Sequence, residues 1–238
     1  MNRRRPPRSL RLLLLLLLLL LLLLLYLPRP LFPSPSLLQK IAEQTVAEND
    51  PPSAQPEPRG AAIEVAVAEL LRACDLDLAH KDLRRTPQRV AEVWQQHFLA
   101  GFAMDPARIL GDPVEGEAAT DLVVVRRIPY HGLCPHHLLP YSGEATVAYL
   151  PAAKLLGFGR LADLVTCFTR RLTLQERACN DVVDALMVHL GARGAGCVMR
   201  GRHTCLAIPD NKHPTEVTTS SIRGELLTRR DLQAELYR

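Results

Sequence analysis

From residue 61 to its last residue, this 238-residue chain lacks any net charge. Lysine and arginine number 29 and aspartate and glutamate 25, but residues 1–60 hold eight of the former and four of the latter, leaving 21 of each beyond them. A region without a basic surplus is not a general nucleic-acid-binding domain, and no nucleic-acid partner is expected. Also missing is a paired Cys-x-x-Cys knuckle of the kind that closes a structural zinc site. No small-x-small cleavage site follows the N-terminal apolar run, where Ser34 and Ser36 only flank Pro35. That run, Leu12–Leu27, is sixteen residues long. As a helix it would rise about 24 Å, short of the roughly 30 Å of a bilayer's hydrocarbon core.

What is present divides the chain in two. Leu12–Leu25 is an unbroken run of fourteen leucines behind five arginines, and ten of the 19 prolines precede residue 61. Residues 1–60 therefore read as a leader and proline-rich linker that is not folded, with three readings for the leader: an uncleaved anchor in contact with a membrane, a weak signal peptide, or a segment with no folded role. Residues 61–238 form the second part, long enough to bury a core without disulfide staples.

Ala61 to Ala100 is helical in pattern, with Ile63, Val65, Val67, Leu70 and Leu71 on one apolar face and Val90, Val93, Trp94, Phe98 and Leu99 on another. Thr86-Pro87 places a capping residue before a proline at the first helical position. The period then changes. Residues 121–128 and 143–150 are β-branched runs bounded by Pro and Gly, hence strands, with a loop around residues 131–137 between them. Residues 161–171 and 175–190 read as helices, and residues 194–200 and 203–208 as two more strands. The order predicts an α+β domain with a small antiparallel sheet, its helices on one face and a helical extension before it. Edge strands left by so small a sheet predict pairing between subunits, and so a homo-oligomer.

Six cysteines are present. Cys74, Cys167, Cys179 and Cys197 fall among apolar residues and read as small buried hydrophobes. Cys134 differs, because Cys134-Pro-His136-His137 puts a thiolate and an imidazole within reach of one ion. Sixty-eight residues after His137 stands Cys205, in His203-Thr-Cys205. Two thiolates and one imidazole suit Zn²⁺, and three protein ligands would leave a fourth position for water, which zinc activates at neutral pH. His136 and His203 are of the right type for proton transfer. The competing reading is a closed Cys/His zinc clip or scattered core residues.

Together and in order, several segments resemble the GTP cyclohydrolase I family. They are Leu83-Arg-Arg-Thr-Pro-Gln-Arg89-Val, Cys134-Pro-His-His-Leu-Leu-Pro140, Gly143-Glu-Ala-Thr-Val-Ala-Tyr-Leu-Pro151, Arg171-Leu-Thr-Leu-Gln-Glu-Arg177, His203-Thr-Cys205 and Thr215-Glu-Val-Thr-Thr-Ser-Ser-Ile-Arg-Gly224. The resemblance covers about residues 61–238. It implies the tunnelling fold, in which subunit sheets join into an oligomeric barrel, commonly a decamer with active sites between subunits. It implies Cys134, His137 and Cys205 as zinc ligands, with Gln175 and Glu176 at the purine of GTP. It further implies His203 and His136 in proton transfers during ring opening at C8, with loss of formate, to 7,8-dihydroneopterin triphosphate. Zinc thiolates and a GTP substrate favour the cytoplasm.

Departures from the family pattern gather at the phosphate end. Where the family has Gly-Leu-Ser-Lys and then an arginine, this chain has Gly157-Phe-Gly159-Arg160 and then Asp163. Arg160 takes the place of the lysine as a phosphate contact, but Asp163 brings the opposite charge. Pro209-Asp210 replaces an Arg-Gly pair, and Pro135 a glutamate. The expected substrate is GTP. The alternatives are a less phosphorylated guanine nucleotide or nucleoside, and a catalytically idle zinc-containing assembly protein.

Overall fold

The computed structural model describes residues 60–111, 113–115, 121–210 and 215–238, with the backbone alone for Pro209 and Asp210. The leader, its membrane contact and the linker to residue 59 lie outside the described residues. Two helices open the fold, α1 (Gly60–Ala73) and α2 (Thr86–Val93), the second continuing into a π turn, Trp94–Phe98. A short helix α3 (Pro106–Ile109) follows, capped by the Asp105 carboxylate, which accepts from the Ala107 N–H at 2.9 Å. Then come β1 (Val114–Glu115), β2 (Val123–Leu133), β3 (Pro140–Leu150), β4 (Lys154–Leu155), α4 (Phe158–Thr169), α5 (Gln175–Ala185), β5 (Gly194–His203), α6 (Thr204–Asp210), β6 (Glu216–Gly224) and α7 (Arg230–Tyr237).

The main sheet is antiparallel with order β2-β3-β5-β6, and β1 pairs with β4 in a two-stranded ribbon. Strand alternation sorts its side chains. Ala145, Val147 and Tyr149 of β3 and Ala195, Cys197 and Met199 of β5 point to one face, where they pack with Leu161, Leu164, Val165 and Phe168 of α4 and Val182 and Val183 of α5. Burial of this face stabilises the fold by about 25 cal/mol for each Å² of apolar surface removed from water. Ala148 and Val198 point to the other face and bury Leu236 of α7. The α+β class stands, but the helices are not all on one face: α7 covers one end of the opposite side.

Several sequence expectations need correcting. Residues 203–208 are not a strand. His203 ends β5, and α6 follows with Leu206 and Ile208 exposed. A short apolar run does not by itself distinguish strand from helix. The fourth strand is instead β6, whose Val-Thr-Thr stretch carries the β-branched signal. Strand β2 runs through His131 to Leu133, so the intervening loop is confined to residues 134–139. Thr86 is the first residue of α2 and caps nothing; its hydroxyl donates to the Asp82 carbonyl at 3.4 Å. Cys74 is exposed rather than buried, as are Val65 and Leu70 of α1. None of the six cysteines is in a disulfide.

Arg171 ties the helical extension to the sheet layer. Its Nε donates to the carbonyls of Gly101 at 3.1 Å and Cys167 at 2.8 Å, and its guanidinium lies 5.1 Å from the Phe168 ring centroid. Charge-assisted bonds of this kind contribute about 1.5–3 kcal/mol, and the stacked cation adds about 1. Arg171→Ala is therefore expected to destabilise the fold by about 2–4 kcal/mol in urea unfolding. A change below about 0.5 kcal/mol would show that the clamp is idle.

Candidate metal and catalytic site

The site forms at one end of the sheet, where β2 turns into β3 and β5 ends. Cys134 leaves β2, and its N–H donates to the Leu139 carbonyl at 2.9 Å, closing a tight loop. The Leu138 N–H donates back to the Cys134 carbonyl at 2.9 Å, and Leu138 takes a left-handed φ of 54°. This turn folds His137 back so that its Nδ1 lies 3.9 Å from Cys134 Sγ. Cys205, in the first turn of α6, completes the group. The three ligand atoms lie within 4.8 Å of one another. The Thr204 hydroxyl donates to the Pro140 carbonyl at 2.6 Å and holds α6 against the loop.

These donors fit a zinc-sized ion. Bonds of about 2.0–2.3 Å place tetrahedral ligands about 3.5 Å apart, close to the observed sulfur–nitrogen separation. Burial, and then the neighbouring Cys134 sulfur, push the Cys205 thiol up.

Beside the cluster runs a buried polar chain. Gln175, at the start of α5, is 1% exposed. Its Nε2 faces the carbonyls of Met199 and Val217 and the Thr219 hydroxyl, each at 3.1 Å. Carbonyls only accept, so the amide orientation is fixed and Oε1 faces the other way. There it accepts from the Tyr130 hydroxyl at 2.9 Å and from His203 Nε2 at 2.9 Å. His203 thus carries its proton on Nε2, which leaves Nδ1 as the nitrogen free to exchange one. The Tyr141 ring stacks on His203 at 4.8 Å and 9°, while its hydroxyl donates to the Thr173 carbonyl at 3.0 Å. Burial raises both tyrosine pKa values, so both remain donors. Burial lowers the His203 pKa, and the Glu176 charge acts the other way.

The sequence-predicted residues fall into three groups. Cys134, His137 and Cys205 come together. His203 and Gln175 form the adjoining pair, with Glu176 exposed on the first turn of α5 and electrostatically felt by His203. His136 is exposed beside His137, its ring 6.2 Å from its neighbour's. Arg160 and Asp163 stand exposed on the first turns of α4, and among the described residues no contact ties Arg160 to the cluster. The side chains of Pro209 and Asp210 lie outside the described residues. Gln175, expected at the purine, spends its amide on Tyr130, His203, Met199, Val217 and Thr219.

Sequence reasoning missed Tyr130, Tyr141 and Gly201. On the inward positions of strands, the two tyrosines look like ordinary core. Gly201 pairs with Gly143 across β3 and β5, and a Cβ at Gly201 would run into the Tyr130 hydroxyl and Gln175 Oε1. Two facing glycines in one sheet are the signal that could have found this packing.

An antiparallel α+β sheet here carries a Cys/His/Cys donor set that could hold a metal ion, beside a histidine anchored by a buried glutamine. The chain belongs to the GTP cyclohydrolase I family, whose sequence profile matches residues 63–238. The GTP cyclohydrolase 1 of Ralstonia nicotianae is 40% identical over 176 residues, covering 74% of this chain and 84% of that protein. That of Chromobacterium violaceum is 38% identical over 179 residues, 75% and 86% of the two chains. That of Janthinobacterium sp. is 42% identical over 155 residues, 64% and 78%.

Proposed function

We propose that this chain is a zinc-dependent GTP cyclohydrolase that opens the five-membered ring of the purine at C8. Formate is released and 7,8-dihydroneopterin triphosphate forms, the first step of pterin and folate synthesis. The observation that carries this reading is the donor triad beside a histidine whose Nε2 is held by a buried glutamine, in a chain of this family.

Cys134, His137 and Cys205 would hold the zinc, which when bound would supply Lewis-acid activation of water at neutral pH. His203, anchored through Nε2, takes a proton at Nδ1 from the attacking water and passes it to the ring nitrogen beside C8 as the C–N bond breaks. A second hydrolysis frees the C8 carbon as formate. Ribose rearrangement and ring closure return one water, so one water is consumed overall. His136 serves the later proton transfers. Glu176 accepts from the guanine N1–H and amino group, a pairing that adenine would leave unsatisfied. Gln175 acts through His203, and Arg160 meets phosphate. Residues 61–238 are the catalytic domain and residues 1–60 a leader and linker. Edge strands β2 and β6 are available to pair between subunits, which suits a tunnelling-fold barrel, commonly decameric. Free thiols and a GTP substrate suit the cytoplasm. Among the described residues, no helix is long and apolar enough to cross a membrane.

A second reading, a less phosphorylated guanine nucleotide as substrate, is favoured by the exposed Asp163 one turn from Arg160. The test is formate release by the purified, zinc-loaded chain, with kcat/KM compared for GTP, GMP and guanosine. GTP preferred by at least about tenfold, with loss of activity under a chelator, is the expected result. Equal kcat/KM for all three would favour the second reading, and no formate from any would overturn both.

A further inference from the structure

The register of the sheet lays two rows of residues across β2, β3 and β5 beside the site. One row is Gly132, Tyr141 and His203; the next is Tyr130, Gly143 and Gly201. Residues two apart on a strand share a face, so both rows lie on the side that carries His203. Each tyrosine occupies room that a glycine leaves. In the second row Gly143 and Gly201 present no side chain, and the Tyr130 hydroxyl stands where a Cβ at Gly201 would collide with it. Adjacent strands lie about 4.8 Å apart, so this hydroxyl sits two strands from its own backbone. There it donates to Gln175 Oε1 at 2.9 Å. In the first row, a Cβ at Gly132 would stand 2.6 Å from the Tyr141 hydroxyl and 2.7 Å from its Cζ. Glycines inside strands mark such close approaches.

Tyr141 faces His203 directly across β3 and β5, and the two rings stack at 4.8 Å and 9°. The Tyr130 ring meets the Tyr141 ring at 6.3 Å and 64°, an edge contact. Tyr130, Gln175, His203 and Tyr141 therefore form a closed ring of contacts. A hydrogen bond at Nε2 fixes one point of the imidazole and leaves the ring free to rock about it. A parallel aromatic ring removes that freedom. Gln175 Oε1 has two lone pairs, and Tyr130 and His203 use both.

We infer that Tyr130 and Tyr141 are positioning residues for His203: the Tyr130 hydroxyl fixes the glutamine oxygen that holds Nε2, and the Tyr141 ring fixes the plane of the imidazole. Together they aim Nδ1 at the reacting atoms. Their part in catalysis rests on the proposed ring opening, whereas the clamp on the imidazole does not. The two tyrosines act through different parts. At position 130 it is the hydroxyl. At position 141 it is the ring, since that hydroxyl is spent on the Thr173 carbonyl at 3.0 Å.

The test replaces each tyrosine by phenylalanine in the zinc-loaded full chain and measures kcat and KM for GTP, Tm and the crystal structure of each variant. Tyr130→Phe is expected to lower kcat by about three- to tenfold, the worth of one neutral hydrogen bond, with KM moving less than about twofold. Tyr141→Phe should lower Tm, because the Thr173 carbonyl loses its partner, while kcat stays within about twofold of wild type. Tyr141→Leu, which removes the ring, should lower kcat by about tenfold or more, and Tyr141→Phe is its conservative rescue. A merely structural role would lower Tm at both positions and leave kcat alone. Unchanged kcat in Tyr130→Phe would overturn the inference, as would equal losses of kcat in Tyr141→Phe and Tyr141→Leu. Should the leucine variant not fold, the opposite responses of the two phenylalanine variants decide. The crystal structures read the clamp without turnover, so a chain releasing no formate from GTP sinks the proposed reaction and leaves this measurement standing. His203 is expected to leave its wild-type orientation in Tyr141→Leu or Tyr130→Phe and to keep it in Tyr141→Phe; the same orientation in all three would overturn the clamp.

Discussion

Cys205→Ala loses both bound zinc and formate release. Cys205 is one of three donors, all within 4.8 Å of one another, and the only one supplied from outside the β2–β3 loop. Removing it leaves a Cys–His pair from one short turn, too few ligands to hold an ion that prefers four. Lewis-acid activation contributes several kcal/mol to such a reaction, so turnover should fall by about a thousandfold or more. Zinc is counted by metal analysis on the purified chain, and formate by a coupled assay. Cys74→Ala is the control, an exposed cysteine outside the cluster, and should keep zinc at wild-type stoichiometry. If Cys205→Ala kept zinc and turnover, Cys134, His137 and Cys205 would not be the metal site.

Gly201→Ala is expected to damage stability and catalysis together. The added methyl group overlaps the Tyr130 hydroxyl and Gln175 Oε1, and neither belongs to a flexible surface side chain. Moving Gln175 breaks its bonds to Tyr130, His203, Met199, Val217 and Thr219. Buried groups left without partners cost about 1–3 kcal/mol each, so a loss of about 3–5 kcal/mol follows. That corresponds to roughly 10 °C in Tm for a domain of this size. In the fraction that folds at low temperature, kcat should drop by more than about tenfold while KM for GTP moves less, because His203 loses its anchor. A Tm within about 2 °C of wild type would mean that the chain of bonds relaxes around the methyl group.

Much of the fold was readable residue by residue. β-Branched runs marked β2 and β3, residues 194–200 read as the strand that is β5, and apolar residues at three- and four-residue spacing marked α4 and α5. Failures came where a local pattern was short or answered to distant partners. Leu206 and Ile208 lie in a stretch read as a strand, yet they are exposed on a helix that Thr204 pins to Pro140. Leu236 was unreadable as a core residue because its partners, Ala148 and Val198, lie on the far side of a sheet and distant in sequence. At the site, thiols and imidazoles announce their chemistry by type, so Cys134, His137 and Cys205 could be picked out. Gln175 could not be read so well, since an amide's role depends on which carbonyls surround it. Tyr130 and Tyr141 were hidden by their likeness to ordinary interior aromatics.

The alternation of β5 has a consequence for how the protein tolerates change. His203 and Arg202 are neighbours in sequence yet belong to opposite faces of the sheet, one beside the thiols and the other in an arginine-lined cavity. A slip of one residue would exchange them, putting a permanent cation beside the two thiols and an imidazole among the arginines. Gly143 facing Gly201 guards against that slip, because a side chain at either position has no room in the native pairing. A single-residue insertion or deletion between Gly194 and Arg202 should therefore do more harm than most substitutions there. It would leave the composition of the strand almost untouched while reversing which face does which task.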